Sequence, residues 1–209
     1  MLESTANLRA IKKRRTFDEI LANGVALFRE QGIRRTRTEQ IARAADVSPA
    51  TLFNYFPNKG TLAEAWIRGE SDRVVAETAS EVVERGLRPS LRRACRLLAS
   101  QSSDAPLLRF EAWRTAGRAR GRALDGGHPL VTGIEHEQQR ERIRQDLSAR
   151  LLAEMILDAL ETGLIEGLRT EQPAEELSRS LQVRVDLLLD GARKRNERVE
   201  LPRRADSEG

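Results

Sequence analysis

This chain of 209 residues is poor in cysteine, histidine, lysine and aromatic residues, and each shortage closes off a kind of chemistry. A single cysteine, Cys95, excludes an internal disulfide and cannot by itself make a thiolate zinc site. In its Ala-Cys-Arg-Leu-Leu setting it reads as a packing residue of a helix, with a redox-sensing thiol as the lesser alternative. The two histidines, His128 and His136, stand eight apart without HExxH or other ligand spacing, and His128 reads as a turn or helix-cap residue. Gly126-Gly127 runs into His-Pro rather than the Lys-Ser/Thr of a phosphate loop, and no grouping of serine, histidine and acid stands out. No catalytic residue, metal site or cofactor is therefore expected. There is also no apolar run near the ~20 residues of a membrane-spanning helix. The opening MLESTANLRAIKKRR has basic residues with no apolar stretch behind them, unlike a secretory leader. The expectation is a cytoplasmic protein without a membrane partner.

What is present is charge and helical periodicity. Charged residues make up 33% of the chain and hydrophobic ones 39%, with 32 arginines against only 4 lysines. The first 66 residues hold 11 basic and 7 acidic side chains, whereas the rest hold 25 of each, so the whole surplus of +4 lies at one end. Cations concentrated there suit a phosphate backbone; chance in an arginine-rich chain is the competing reading. Of the 8 aromatic residues, 6 also fall in this part: Phe17, Phe28, Phe53, Tyr55, Phe56 and Trp66. A small helical unit needs such bulk to form a core.

The stretch from Thr36 to Leu62 is the most informative. Thr36 is placed to cap a helix with Glu39 three residues on as its capping-box partner, and Ile41, Ala42 and Ala45 fall on one face. Asp46-Val47 makes a turn with Val47 as its apolar plug. Ser48-Pro49 then opens a second helix as N-cap and first-turn proline. Leu52 and Phe56 point inward at i and i+4, Ala50, Thr51, Asn54 and Tyr55 point outward, and Pro57 ends the helix. Two helices across a tight turn, the second offering a face of small and polar residues, form the arrangement that enters the DNA major groove. Ahead of them a helix from about Arg15 to Gln31 carries the stripe Phe17, Ile20, Leu21, Gly24, Leu27 and Phe28 and stops at Gly32. The basic run Lys12-Lys13-Arg14-Arg15 is expected in a frayed tail, either merely solvated or lying along phosphates.

The run from Gln31-Gly32 to Thr61-Leu62, above all QIARAADVS, ATLFNYF and PNKGTL at their relative spacings, resembles the DNA-binding region of the TetR family of bacterial transcriptional repressors. The resemblance spans about a quarter of the chain. It implies an all-α fold: an N-terminal three-helix helix-turn-helix DNA-binding domain and a C-terminal helical ligand-binding and dimerisation domain. The expected DNA-contacting residues are Thr36, Arg37, Thr38, Ser48, Ala50, Thr51, Asn54, Tyr55 and Lys59. Thr51 and Asn54, with Arg37 as an addition, are expected to discriminate bases, while Tyr55 and Lys59 serve phosphates. Two departures stand out: Phe53 occupies a position where many members have tyrosine, and Arg37 one where threonine is common.

Beyond the helix opened by Asn58-Lys59, which is expected to run to Gly86 and join the two domains, only helical patterning is seen. Expected helices cover Pro89–Ser102, Asp104–Leu124, a segment to Arg144, Leu147–Leu168 and Pro173–Arg195. The division is 1–14 basic tail, 15–62 DNA-binding domain, 63–195 regulatory and dimerisation domain, and 196–209 disordered tail. The last two helices carry more apolar surface than one face hides. Leu152, Ile156, Leu160, Leu164, Leu181 and Leu188 are expected at a homodimer interface of four helices, against the alternative of a wide internal core. By resemblance, Trp66, Leu107, Phe110, Trp113 and Met155 fall in regions that line an inducer cavity, with ordinary core as the competing reading. The function expected is a ligand-released repressor bound to palindromic operator DNA as a homodimer. An architectural or non-specific DNA-binding protein without ligand control is the alternative.

Overall fold

The computed structural model describes residues 2–116, Leu124 and 127–193. The expected continuation of a helix to Leu124, the break at Asp125-Gly126 and the tail from 196 onward lie outside the described residues, apart from Leu124 itself. Among the described residues there are ten helices and no strand: α1 (Leu2–Gln31), α2 (Thr38–Ala44), α3 (Pro49–Tyr55), α4 (Lys59–Ala79), α5 (Val82–Arg85), α6 (Leu87–Ser102), α7 (Pro106–Ala116), α8 (Pro129–Gln139), α9 (Ala149–Arg169) and α10 (Ala174–Gly191).

The basic run is not a frayed tail. It lies inside α1, where Arg14 pairs with Asp18 at 3.1 Å and Arg15 with Glu19 at 2.8 Å. Spacing of i to i+4 puts each pair on one helix face, which favours continuing the helix through the run. The expected single helix to Gly86 is also broken: α4 ends at Ala79, and α5 follows as a short turn closed by Gly86 at φ +84°.

Two apolar cores result. The first gathers Ile20 and Phe28 of α1, Ile41 of α2, Leu52 and Phe56 at the end of α3, and Leu62, Trp66 and Ile67 of α4, and it extends to Ala112 and Trp113 of α7. The second is aliphatic apart from Cys95 and joins the far end of α4 to α6, α8, α9 and α10. Since α4 contributes Leu62 to Ile67 to one core and Val74 to Ala79 to the other, it is the strut between them. Close approach along the strut depends on Gly60, where a Cβ would lie 2.7 Å from the Thr115 carbonyl oxygen of α7.

Candidate nucleic-acid interface

The helix-turn-helix forms from α2 and α3, with its start shifted by one residue from expectation. Arg37, not Thr36, is the N-cap of α2; its backbone N–H donates to Gln40 Oε1 at 2.8 Å, so Gln40 rather than Glu39 completes the cap. Thr36 is 1% exposed and its hydroxyl donates to the Gly32 carbonyl at 2.8 Å. It closes the turn after α1 and cannot reach DNA. The turn between α2 and α3 is as expected: Asp46 adopts φ +52°, and half-buried Val47 donates its N–H to the Ala42 carbonyl at 2.9 Å. Ser48 Oγ accepts from Thr51 N at 3.0 Å and lies 2.8 Å from Thr51 Oγ1, so the cap engages the Thr51 hydroxyl as well.

Inward-facing Leu52 and Phe56 are buried as expected. The outward face consists of Pro49, Ala50, Phe53 and Asn54, with Thr51 half-buried at its flank. Tyr55 does not belong to this face. It is half-buried and packs on the first core, because one position along the helix turns it away from Asn54. Phe53, one position in the other direction, is 44% exposed, and the sequence reading did not count it as a contact. The signal was there in the i, i+3, i+4 relation of Ala50, Phe53 and Asn54.

Lys59 also departs from expectation. Its ammonium donates to the carbonyls of Ile33 and Thr36 at 2.8 Å each and of Arg34 at 3.3 Å. An ammonium has three donors, and all three are engaged within the protein. Lys59 therefore ties the start of α4 to the loop before α2 instead of presenting a free charge. Asn58 caps α4, its side chain accepting from Thr61 N at 3.0 Å. The available cations are others: Arg34, Arg35, Arg37 and Arg43 are exposed and have no ion-pair partner among the described residues. Only Arg37 of these four was anticipated. Thr38, in the first turn of α2, is half-exposed.

The expected ligand residues do not share a cavity. Trp66 and Trp113 are buried in the first core, Phe110 is half-buried against it, Leu107 is 71% exposed and Met155 is 45% exposed. Buried arginines hold the two tryptophans: Arg109 stacks 5.4 Å from the Trp66 ring centroid and Arg68 stacks 5.7 Å from that of Trp113. Trp66 Nε1 and Arg109 Nη1 donate to the two oxygens of Glu70 at 2.9 and 2.7 Å, and Arg68 pairs with Glu64 and with Glu161 of α9. A cavity of about 360 Å³ lies where the α6–α7 corner meets the α9–α10 turn, lined by Leu107 of the expected set together with Ser103, Pro106, Leu168, Gln172 and Leu177 among others. Its size is at the lower end for small-molecule sites. The expected dimer residues are likewise displaced. Leu152, Ile156, Leu160, Leu164 and Leu181 are buried within their own chain, and Leu188 is half-buried against the same core. The apolar side chains left outside on α9 and α10 are Leu151, Met155, Val183 and Leu187. His128 caps α8, accepting from Leu130 N at 3.2 Å.

Residues 20–66 match the sequence model described as "Bacterial regulatory proteins, tetR family". Over 56 residues the chain is 43% identical to the HTH-type transcriptional regulator TcmR of Streptomyces glaucescens, covering 27% of this chain and 25% of that protein, so the chain matches a quarter of the relative's length. Similarity over most of the chain is found in solved structures. FadR of Thermus thermophilus, a TetR-family transcriptional repressor crystallised with lauroyl-CoA, is 21% identical with a TM-score of 0.62, covering 92% of this chain and 99% of that one. A TetR-family transcriptional regulator from Pectobacterium atrosepticum is 17% identical with a TM-score of 0.60, covering 88% and 97%. At such identities the likeness is one of fold: all helices, with an N-terminal helix-turn-helix and a helical C-terminal domain. The relatives are regulators, not enzymes.

Proposed function

We infer that this chain is a cytoplasmic transcriptional repressor of the TetR family that holds a palindromic operator as a homodimer and is released by a small molecule. The observation that carries the reading is the α2–turn–α3 unit, whose capped second helix offers Ala50, Phe53 and Asn54 while Leu52 and Phe56 anchor it from behind. Arg34, Arg35, Arg37 and Arg43, exposed and without an ion-pair partner among the described residues, supply the phosphate contacts, with Thr38 and Ser48 beside them as polar donors. A two-fold pair of such units matches two half-sites one helical turn apart. The pairing surface is the outer stripe of α9 and α10, Leu151 and Met155 with Val183 and Leu187, because these apolar residues lack a cover in the single chain. The ligand site is the cavity between the α6–α7 corner and the α9–α10 turn, which is apolar with Gln172 and Ser103 at its wall.

Sequencing the DNA that co-purifies with the protein, followed by titration of the recovered duplex and a scrambled one, tests this function. A sequence-specific regulator prefers its site by at least about 1,000-fold at physiological salt. Equal binding of both duplexes would establish the architectural alternative instead.

A further inference from the structure

We propose that the recognition helix reads thymine methyl groups, with the Phe53 ring and the Ala50 methyl as its contacts, so that each half-site contains a T·A pair whose 5-methyl group faces them. The inference rests on the DNA-binding reading and deepens it. The seven residues Pro49–Tyr55 carry no charge, so the helix has no arginine or lysine to grip guanine O6 and N7 and no carboxylate to accept from cytosine N4. Its outward face is Pro49, Ala50, Phe53 and Asn54. Asn54 alone has the paired donor and acceptor that recognise adenine.

Phe53 is exposed for a reason other than a shortage of core. Leu52 and Phe56 on the inner side are 1% and 2% exposed, so that side of α3 is already filled. An aromatic ring without a polar atom has one apolar complement among the base edges of the major groove, the thymine 5-methyl group. Ala50, three residues earlier on the same face, adds a second methyl-sized contact. Thr51 is half-buried at the flank of this face, and its hydroxyl lies 2.8 Å from Ser48 Oγ within the cap. The face as a whole is therefore matched to A·T pairs: thymine methyls for Phe53 and Ala50, adenine for Asn54.

The test uses the full-length protein and a duplex selected by it. Each thymine of one half-site is replaced in turn by uracil, which removes the methyl group and leaves every hydrogen-bonding edge intact. The expected result is a loss of about fourfold per critical methyl at one or two positions, the equivalent of ~0.8 kcal/mol per buried carbon. Phe53→Ala should bind thymine and uracil duplexes alike, and Phe53→Leu should keep part of the difference. A wild-type protein that prefers its operator yet ignores uracil at every position overturns the proposal while leaving the DNA-binding function standing. If Phe53→Ala loses affinity equally on both duplexes, the ring packs on the backbone and the assignment to Phe53 is overturned. Failure to select any duplex overturns both readings. Circular dichroism of the variants separates loss of fold from loss of contact, and the wild-type uracil series stands without them.

Discussion

At the scale of single residues, Lys59 and Cys95 show how differently two positions yield to sequence. Cys95 is fully buried, and burial pushes its thiol up to about 12, which leaves no thiolate for redox chemistry at neutral pH. Its apolar helical neighbours were enough to read it as packing. Lys59 has no such local signal, because its three carbonyl partners lie 23 to 26 residues earlier in the chain. Removing the ammonium leaves the Ile33 and Thr36 carbonyls short of a donor at a half-buried site. Lys59→Ala should therefore lower folding stability by about 1–3 kcal/mol, as for other buried groups deprived of a partner, and this is measurable by urea titration. The salt dependence of DNA binding should stay the same, because no counterion is released by a charge that never reaches a phosphate. A salt slope reduced by about one unit would return Lys59 to the interface.

At the scale of elements, the junction between the two cores rests on pairs that no local pattern reveals. Arg29 of α1 donates to Asp104 in the α6–α7 corner at 2.8 Å, and Arg29 also lies 5.9 Å from the Trp66 ring centroid. Arg109 donates to the Asp104 carbonyl at 2.9 Å. The corner that borders the cavity is thus fastened to the first helix of the DNA-binding unit. The Arg29 hydrogen bond and charge hold the Asp104 carboxyl below its ordinary range. Because the folded value is the lower one, the clasp contributes fully above the ordinary aspartate value of about 3.9 and is lost as pH falls through the folded value. Wild-type protein should melt above Asp104→Asn at neutral pH, and the gap should close as the pH is taken below about 4. A gap that stays constant across that range would mean the clasp contributes nothing through ionisation. Helix positions themselves were legible: the proline and serine signals at Ser48-Pro49 and the Asn58 cap set the starts of α3 and α4. What was missed is where a helix stays continuous through charge, as in α1, where ion pairs act alongside propensity, and where one breaks, as α4 does at Ala79.

At the scale of the whole molecule, the sequence showed that α9 and α10 have excess apolar surface without saying which side turns inward. The inner side was decided by close packing: a Cβ at Gly163 would lie 2.6 Å from Leu181, so α10 settles against the small residue on α9 and draws Leu160 and Leu164 into the core with it. Sequence periodicity marks both stripes alike, and only the position of the neighbouring helices separates them. The outer stripe makes a sharper prediction than a single dimer mutant would. Leu160 is 2% exposed, so Leu160→Arg places an unpaired charge in the second core and should unfold the domain whatever the oligomeric state. Leu187 is 69% exposed, so Leu187→Arg costs the single chain little. In a dimer closed by α9 and α10, however, the two-fold axis brings each substitution into the shared surface twice, where like charges and lost apolar area act together. Sedimentation of Leu187→Arg should then show a folded monomer with unchanged helical circular dichroism, and its operator affinity should fall because the two half-sites no longer bind as one unit. A Leu187→Arg protein that remains dimeric would move the interface off this stripe.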